Sequence, residues 1–142
     1  MKKYILFVLL LTMGNAIATE KNCDLSFSTG VVLRKVPVVV TPETQAQGLS
    51  KRLNVGPGML FAWRSPMPRF FWMRNTWVPL SLGYFDAMGK LFAIQEMVQN
   101  TDTVHSSVKP ALLALELPQG GFAANKLKIG DRLLRFCDIQ VS

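Results

Sequence analysis

Apolar residues along this chain come in short runs separated by proline, glycine and small polar residues, a rhythm that predicts strands rather than long helices. Residues 31–40 are rich in valine and interrupted only by Arg34, Lys35 and Pro37, which predicts a long strand with an edge position or a bulge at the proline. Residues 59–63 form a second apolar strand, and residues 65–68 break the chain again. Residues 69–76 carry aromatics on both alternating faces and predict a central strand covered on both sides for at least its first half. Residues 78–86 and 90–97 flank Ala87, Met88 and Gly89, the pattern of a β-hairpin with Gly89 in the left-handed position. Residues 112–117 and 132–141 predict the last two strands, with a turn at Gly130 and Asp131.

Helix signals are confined to two places. Thr41 is an N-cap type, Pro42 suits the first helical position, Glu43 suits the positive end of the helix dipole, and Gly48 supplies a left-handed stop. Residues 120–126 allow one further helical turn. The polar stretch 99–109 is the longest predicted loop, and loops of that length in compact domains are often functional. About seven short strands with one small helix predict a mainly β fold, a single-domain β-sandwich or a barrel-like sheet. A parallel βαβ design needs more helix than this.

The first residues follow a different logic. Lys2 and Lys3 precede an apolar run over residues 4–13, followed by Gly14, Asn15 and the small-residue triplet Ala16, Ile17, Ala18. Basic, apolar and small-residue regions in that order predict a signal peptide over 1–18 and a single β-rich domain over 19–142. An apolar stretch of about ten residues is too short to span a bilayer core, which needs about 20. The mature chain is therefore expected in the periplasm or secreted, without a transmembrane segment. No cysteine directly follows the small residues, which argues against a lipid anchor.

Charge and composition narrow the partners. Nearly half of the 142 residues are hydrophobic, so the chain can bury a core, and its length leaves room for one domain. The formal net charge is +7, and loss of Lys2 and Lys3 leaves about +5. The basic residues are scattered with no run of five, which argues against a nucleic-acid partner and keeps attraction to anionic envelope surfaces open. Cys23 and Cys137 are the only cysteines, and an even pair in an oxidising compartment reads as one disulfide, with two free thiols as the alternative. Such a bridge closes a loop of over a hundred residues and clasps the first strand to the last. A metal site is not expected, because His105 is the only histidine and two sulfurs fall short of a zinc set.

Several phrases in order carry a resemblance: Glu43 to Leu49 as a helix end, Gly58-Met59-Leu60-Phe61, Phe71-Trp72-Met73-Arg74-Asn75-Thr76, Val78-Pro79-Leu80, Phe85-Asp86, and Leu115-Glu116-Leu117 with Gly120. Together they resemble the domain of unknown function 192 family over roughly residues 36–135. The resemblance implies a β-sandwich with one short helix and brings no established reaction. It also implies an aspartate after Pro79-Leu80, where this chain has Ser81.

Nucleophile elbows, phosphate-cradling glycine loops and His-Glu-x-x-His helices are absent, so the sequence leans away from an enzyme and calls for no cofactor. The remaining candidates are polar and aromatic. In a strand over 70–77, Phe71, Met73, Asn75 and Trp77 share one face, while Trp72, Arg74 and Thr76 share the other, where Arg74 is free to stack on the indole or clamp an anion. Glu116 shares a face with Leu112 and Ala114 and is expected as a half-buried carboxylate paired to Arg74. His105 lies beside Asp102, a spacing any solvated loop shows. The leading expectation is an exported envelope binding or accessory module, in which Arg74, Trp72, Asn75 and Trp77 meet an envelope ligand or a secretion or conjugation component. The alternative is a hydrolase or lyase on an envelope polymer with Glu116 or Asp86 as general acid or base.

Overall fold

The computed structural model describes residues 20–141. The segment 1–18, with its signal-peptide pattern, lies outside the described residues. Valine-rich Val32–Val39 forms strand β2, paired antiparallel to β1 (Lys21–Phe27) and parallel to β3 (Met59–Met67) through Val38 and Val39. The predicted bulge is present, but at Lys35 rather than Pro37. Lys35 takes a positive φ of 53° opposite Asp24, whose carboxylate accepts from the Lys35 amide. Helix α1 (Pro42–Gln47) connects β2 to β3 as its caps dictate. The Thr41 hydroxyl accepts from the Thr44 amide, the Thr44 hydroxyl accepts from the Thr41 amide, and Gly48 ends the helix.

Beyond β3 the chain forms β4 (Phe70–Phe71), β5 (Leu80–Phe85), β6 (Leu91–Met97), β7 (His105–Ser106), β8 (Ala111–Pro118), the single turn α2 (Gly121–Ala124), β9 (Leu133–Phe136) and β10 (Ile139–Gln140). Eight strands make one sheet in the order β10-β9-β1-β2-β3-β8-β5-β6, and β4 pairs with β7 in a separate two-stranded ribbon. Lys90 bridges to Arg132, and Leu133 donates to the Gly89 carbonyl, so the start of β6 curls toward β9. The result is a half-barrel with two short helices among the described residues, the barrel-like form of the expected β fold rather than a two-sheet sandwich.

Both faces of this sheet are covered, which explains why β5 is buried at every position. Strand alternation sends Leu60, Leu113, Leu115 and Leu117 to one core with Leu25, Phe27 and Phe122, and sends Met59, Phe61, Leu82 and Tyr84 to another with Leu49 and Met73. Gly83 leaves the space that the Phe122 ring occupies. The Cys23–Cys137 disulfide is formed, with Cα atoms 4.6 Å apart, and ties β1 to the β9–β10 turn.

Four expectations are corrected. Residues 69–76 do not form a central strand: only Phe70 and Phe71 pair, Asn75 turns the chain with φ 56°, and the segment crosses over the second core as an excursion from the sheet. The final strand over 132–141 is two strands, because Cys137 adopts φ 52° and folds Ile139 back onto Phe136. The expected break at 65–68 lies within β3, which runs on to Met67. The polar stretch 99–109 is not loop throughout, since it contributes β7.

Candidate functional site

The excursion and α1 together roof one end of the second core. Gln45 on α1 donates its amide to the Val39 and Ala62 carbonyls at 3.3 and 3.0 Å, which pins the helix across β2 and β3. The Lys51 amide donates to the Asn75 carbonyl at 2.7 Å, joining the segment after α1 to the excursion. Within the excursion Met73 donates to Thr101 and is fully buried, so it plugs the core while Trp72 and Arg74 on either side point outward. A cavity of about 160 Å³ remains under this roof. Gln47, Gly48 and Ser50 line it on the helix side, Phe61 on β3, Phe71, Trp72, Arg74 and Thr76 on the excursion, and Glu116 on β8.

Glu116 is the unusual member. Strand pairing sets it between Met59 on β3 and Leu82 on β5, on the face that Ala114 shares, and only 5% of it is exposed. Its carboxyl accepts and donates no hydrogen bond to any described side chain or amide, and none of the described ion pairs includes it. Burial pushes its pKa up to about 8, because the charged form loses its hydration. Tyr84 on β5 is affected in turn. Desolvation first, and the Glu116 charge second, hold its phenol well above the ordinary range, and its hydroxyl donates to the His105 carbonyl at 2.9 Å. At neutral pH Glu116 is a carboxylic acid that offers one donor and acceptor oxygens to the cavity.

Arg74 meets an indole and a carboxylate within the chain. Its guanidinium lies 4.4 Å from the Trp72 ring centroid, and Nε donates to Asp102 at 2.8 Å. The hydrogen bond from Arg74 holds the Asp102 carboxyl below its usual range. The expected pair between Arg74 and Glu116 is not formed, because Arg74 faces solvent and the ribbon's neighbouring loop instead. Arg69 makes a similar stack on Trp63 at 4.2 Å.

The remaining candidates separate from this cavity. Asp86 sits in the β5–β6 turn, where its Oδ1 accepts from the Met88 and Lys90 amides at 2.8 and 3.0 Å. It is a turn residue and does not line the pocket with Glu116. Asn75 is exposed and contributes its left-handed backbone, so it does not share a face with buried Met73 as the strand reading expected. Trp77 is exposed and lies outside the lining. His105 does not meet Asp102: its Nδ1 lies 3.2 Å from Gln95 Oε1. Ser81 is buried, donates to Glu96 at 2.7 Å and accepts from the Gly120 amide at 2.8 Å. A carboxylate from β6 thus stands beside the position where the resemblance implies an aspartate on β5.

Sequence reasoning missed Gln47, Ser50, Phe61 and Thr76 as lining residues. Their phrases were visible in the resemblance, but a helix end and a Gly-Met-Leu-Phe strand read as fold determinants until the excursion closes over them. The family profile described as an uncharacterized ACR, DUF192, matches residues 26–134, which takes in β2 to β8 and all the residues that line the cavity. The chain belongs to the DUF192 family. No curated protein matches it. Two solved structures are similar. One is a Sinorhizobium meliloti 1021 protein provisionally described as a transcription regulator, 28% identical with TM-score 0.70 over 81% of this chain and 92% of that one. The other is a Novosphingobium aromaticivorans DSM 12444 protein of unknown function, 30% identical with TM-score 0.70 over 78% of this chain and 81% of that one. This DUF192 chain therefore shares its half-barrel with relatives whose names assign no reaction.

Proposed function

We propose that this protein is an exported cell-envelope binding protein that captures a small ligand in the cavity around Glu116. One observation carries the reading: a nearly buried carboxyl group with no partner among the described residues opens into a polar cavity. A polar group with reduced hydration and no hydrogen bond to the protein is held at a cost, so an occupant that bonds it is stabilised by relief of that cost. The Trp72–Arg74 stack at the rim supplies a flat face with a fixed charge. Export is supported by the leader pattern over 1–18 and by the Cys23–Cys137 bridge, a bond that persists in oxidising compartments. No helix among the described residues is long and apolar enough to cross a membrane.

The hydrolase alternative has less support. Glycoside hydrolysis by paired carboxylates needs a second group about 5 to 9.5 Å from the first, and the cavity lining holds Glu116 alone among the described residues. The transcription-regulator description of the Sinorhizobium protein is not carried over. Reading a DNA groove takes an exposed basic helix or ribbon, whereas α1 has six residues and Arg34, Arg52 and Arg74 are each paired with an acid.

A thermal-shift screen of the oxidised protein against envelope fragments tests the reading. A true ligand raises the melting temperature of the wild type and loses at least about tenfold in affinity in Trp72→Ala, about 1.4 kcal/mol. Conversion of any bound fragment, lost in Glu116→Gln while binding persists, would establish an enzyme in place of a binder.

A further inference from the structure

We infer that the group seated against Glu116 is a primary ammonium, held by the carboxylate in the cavity that Phe61 and Phe71 also line; this rests on the binding reading above. A ligand offering only hydroxyls would be bonded equally well by a glutamine, which supplies a donor and an acceptor without a buried charge to suppress. A carboxyl at this depth becomes advantageous over an amide when the occupant is cationic, because attraction between opposite charges strengthens as water is excluded. Phe61 and Phe71 add apolar lining against which the carbon bearing such an ammonium packs.

The surroundings leave that role open to a ligand. The lining from α1 and residues 47–50 carries no charged side chain, β3 contributes Phe61, and β5 sets the neutral Tyr84 against Glu116. Among the described residues Arg74 is the one cation in the lining, and it is committed to Asp102 and stacked on Trp72. When the ammonium enters, the Glu116 O–H bond breaks, its proton passes to solvent, and the carboxylate accepts hydrogen bonds from the ammonium. No other bond changes and total charge is conserved.

Amino sugars, ethanolamine head groups and diamino-acid side chains all present this group. Calorimetry and Trp72 fluorescence on the oxidised protein separate them by comparing glucosamine with glucose, ethanolamine with ethylene glycol, and lysine amide with norleucine amide. In at least one pair the amine is expected to bind about tenfold or more tightly than its neutral mate. That pair identifies the source. Binding of the amine at pH 7 is expected to release close to one proton, read from the dependence of heat on buffer ionisation, and Glu116→Gln should abolish both the preference and the release. Equal affinity for amine and neutral mate, with binding still lost in Trp72→Ala, would overturn the ammonium assignment and leave the cavity as a binding site. Binding by none of these compounds would overturn both.

Discussion

Gly58 approaches the carbonyl of Glu116 so closely that no methyl group fits between them, and it does so at φ 93°. Close approach and left-handed backbone both demand glycine here. The contact fixes β3 against β8 at the residue pair Met59 and Glu116. Gly58→Ala should therefore destabilise the protein by about 2 kcal/mol or more, read from denaturant melts, because backbone strain and steric overlap add. A loss within about 0.5 kcal/mol, the range of neutral surface changes, would show that the strand edge yields freely.

Glu116 gives a pH dependence of definite sign. Its folded pKa is about 8, above the unfolded value of 4.5, so the folded state holds the extra proton between these limits. Stability is full below pH 4.5 and falls by up to about 1.4 kcal/mol per pH unit as pH rises toward 8. Glu116→Gln should flatten this slope and melt above the wild type at pH 8. Parallel pH profiles for the two proteins would rule out a buried, unpartnered acid.

The Cys23–Cys137 bridge spans 114 positions in sequence. By the chain-entropy account a loop of this size contributes up to about 4 to 5 kcal/mol, and residual structure in the unfolded chain lowers that figure. Reduction, or Cys137→Ser, is expected to lower the midpoint of denaturant unfolding clearly while leaving the circular dichroism of the sheet in place under native conditions. An unchanged midpoint would mean that the reduced, unfolded chain is already compact.

Arg74 and Asp102 are both solvent-exposed, and exposed ion pairs contribute little to stability. Asp102→Asn should leave the melting temperature nearly unchanged. The same substitution frees the guanidinium over Trp72, so it should alter the emission of that indole. A large drop in melting temperature would instead assign the pair a role in holding the roof closed.

Local signals carried much of the fold. Thr41, Pro42 and Gly48 bound α1 because capping and backbone freedom are properties of single residues, and Gly89 at φ 74° marks the β5–β6 hairpin for the same reason. The Cys23–Cys137 pairing followed from having two cysteines. Alternation placed Glu116 on the face opposite Leu113, Leu115 and Leu117. The same reasoning failed at residues 69–76, where Met73 and Thr76 are buried three positions apart and Asn75 reverses the chain between them. A strand pattern and a turn-rich crossing look alike when aromatics occupy both parities. The cavity inherits that failure, since its roof is this crossing. Which carboxylate meets Arg74 depended on the path of residues 99–104, and no periodicity encodes that path.

Strand β1 lies between β2 and β9, with Leu25 opposite both Leu33 and Phe136. Its second neighbour comes far later in the sequence, after every strand from β2 to β8, so β1 has one flank bare until β9 joins it. Folds dominated by such distant pairings assemble slowly and expose edges while they wait. The sheet stays incomplete, with one edge of β1 open, for as long as β9 is absent.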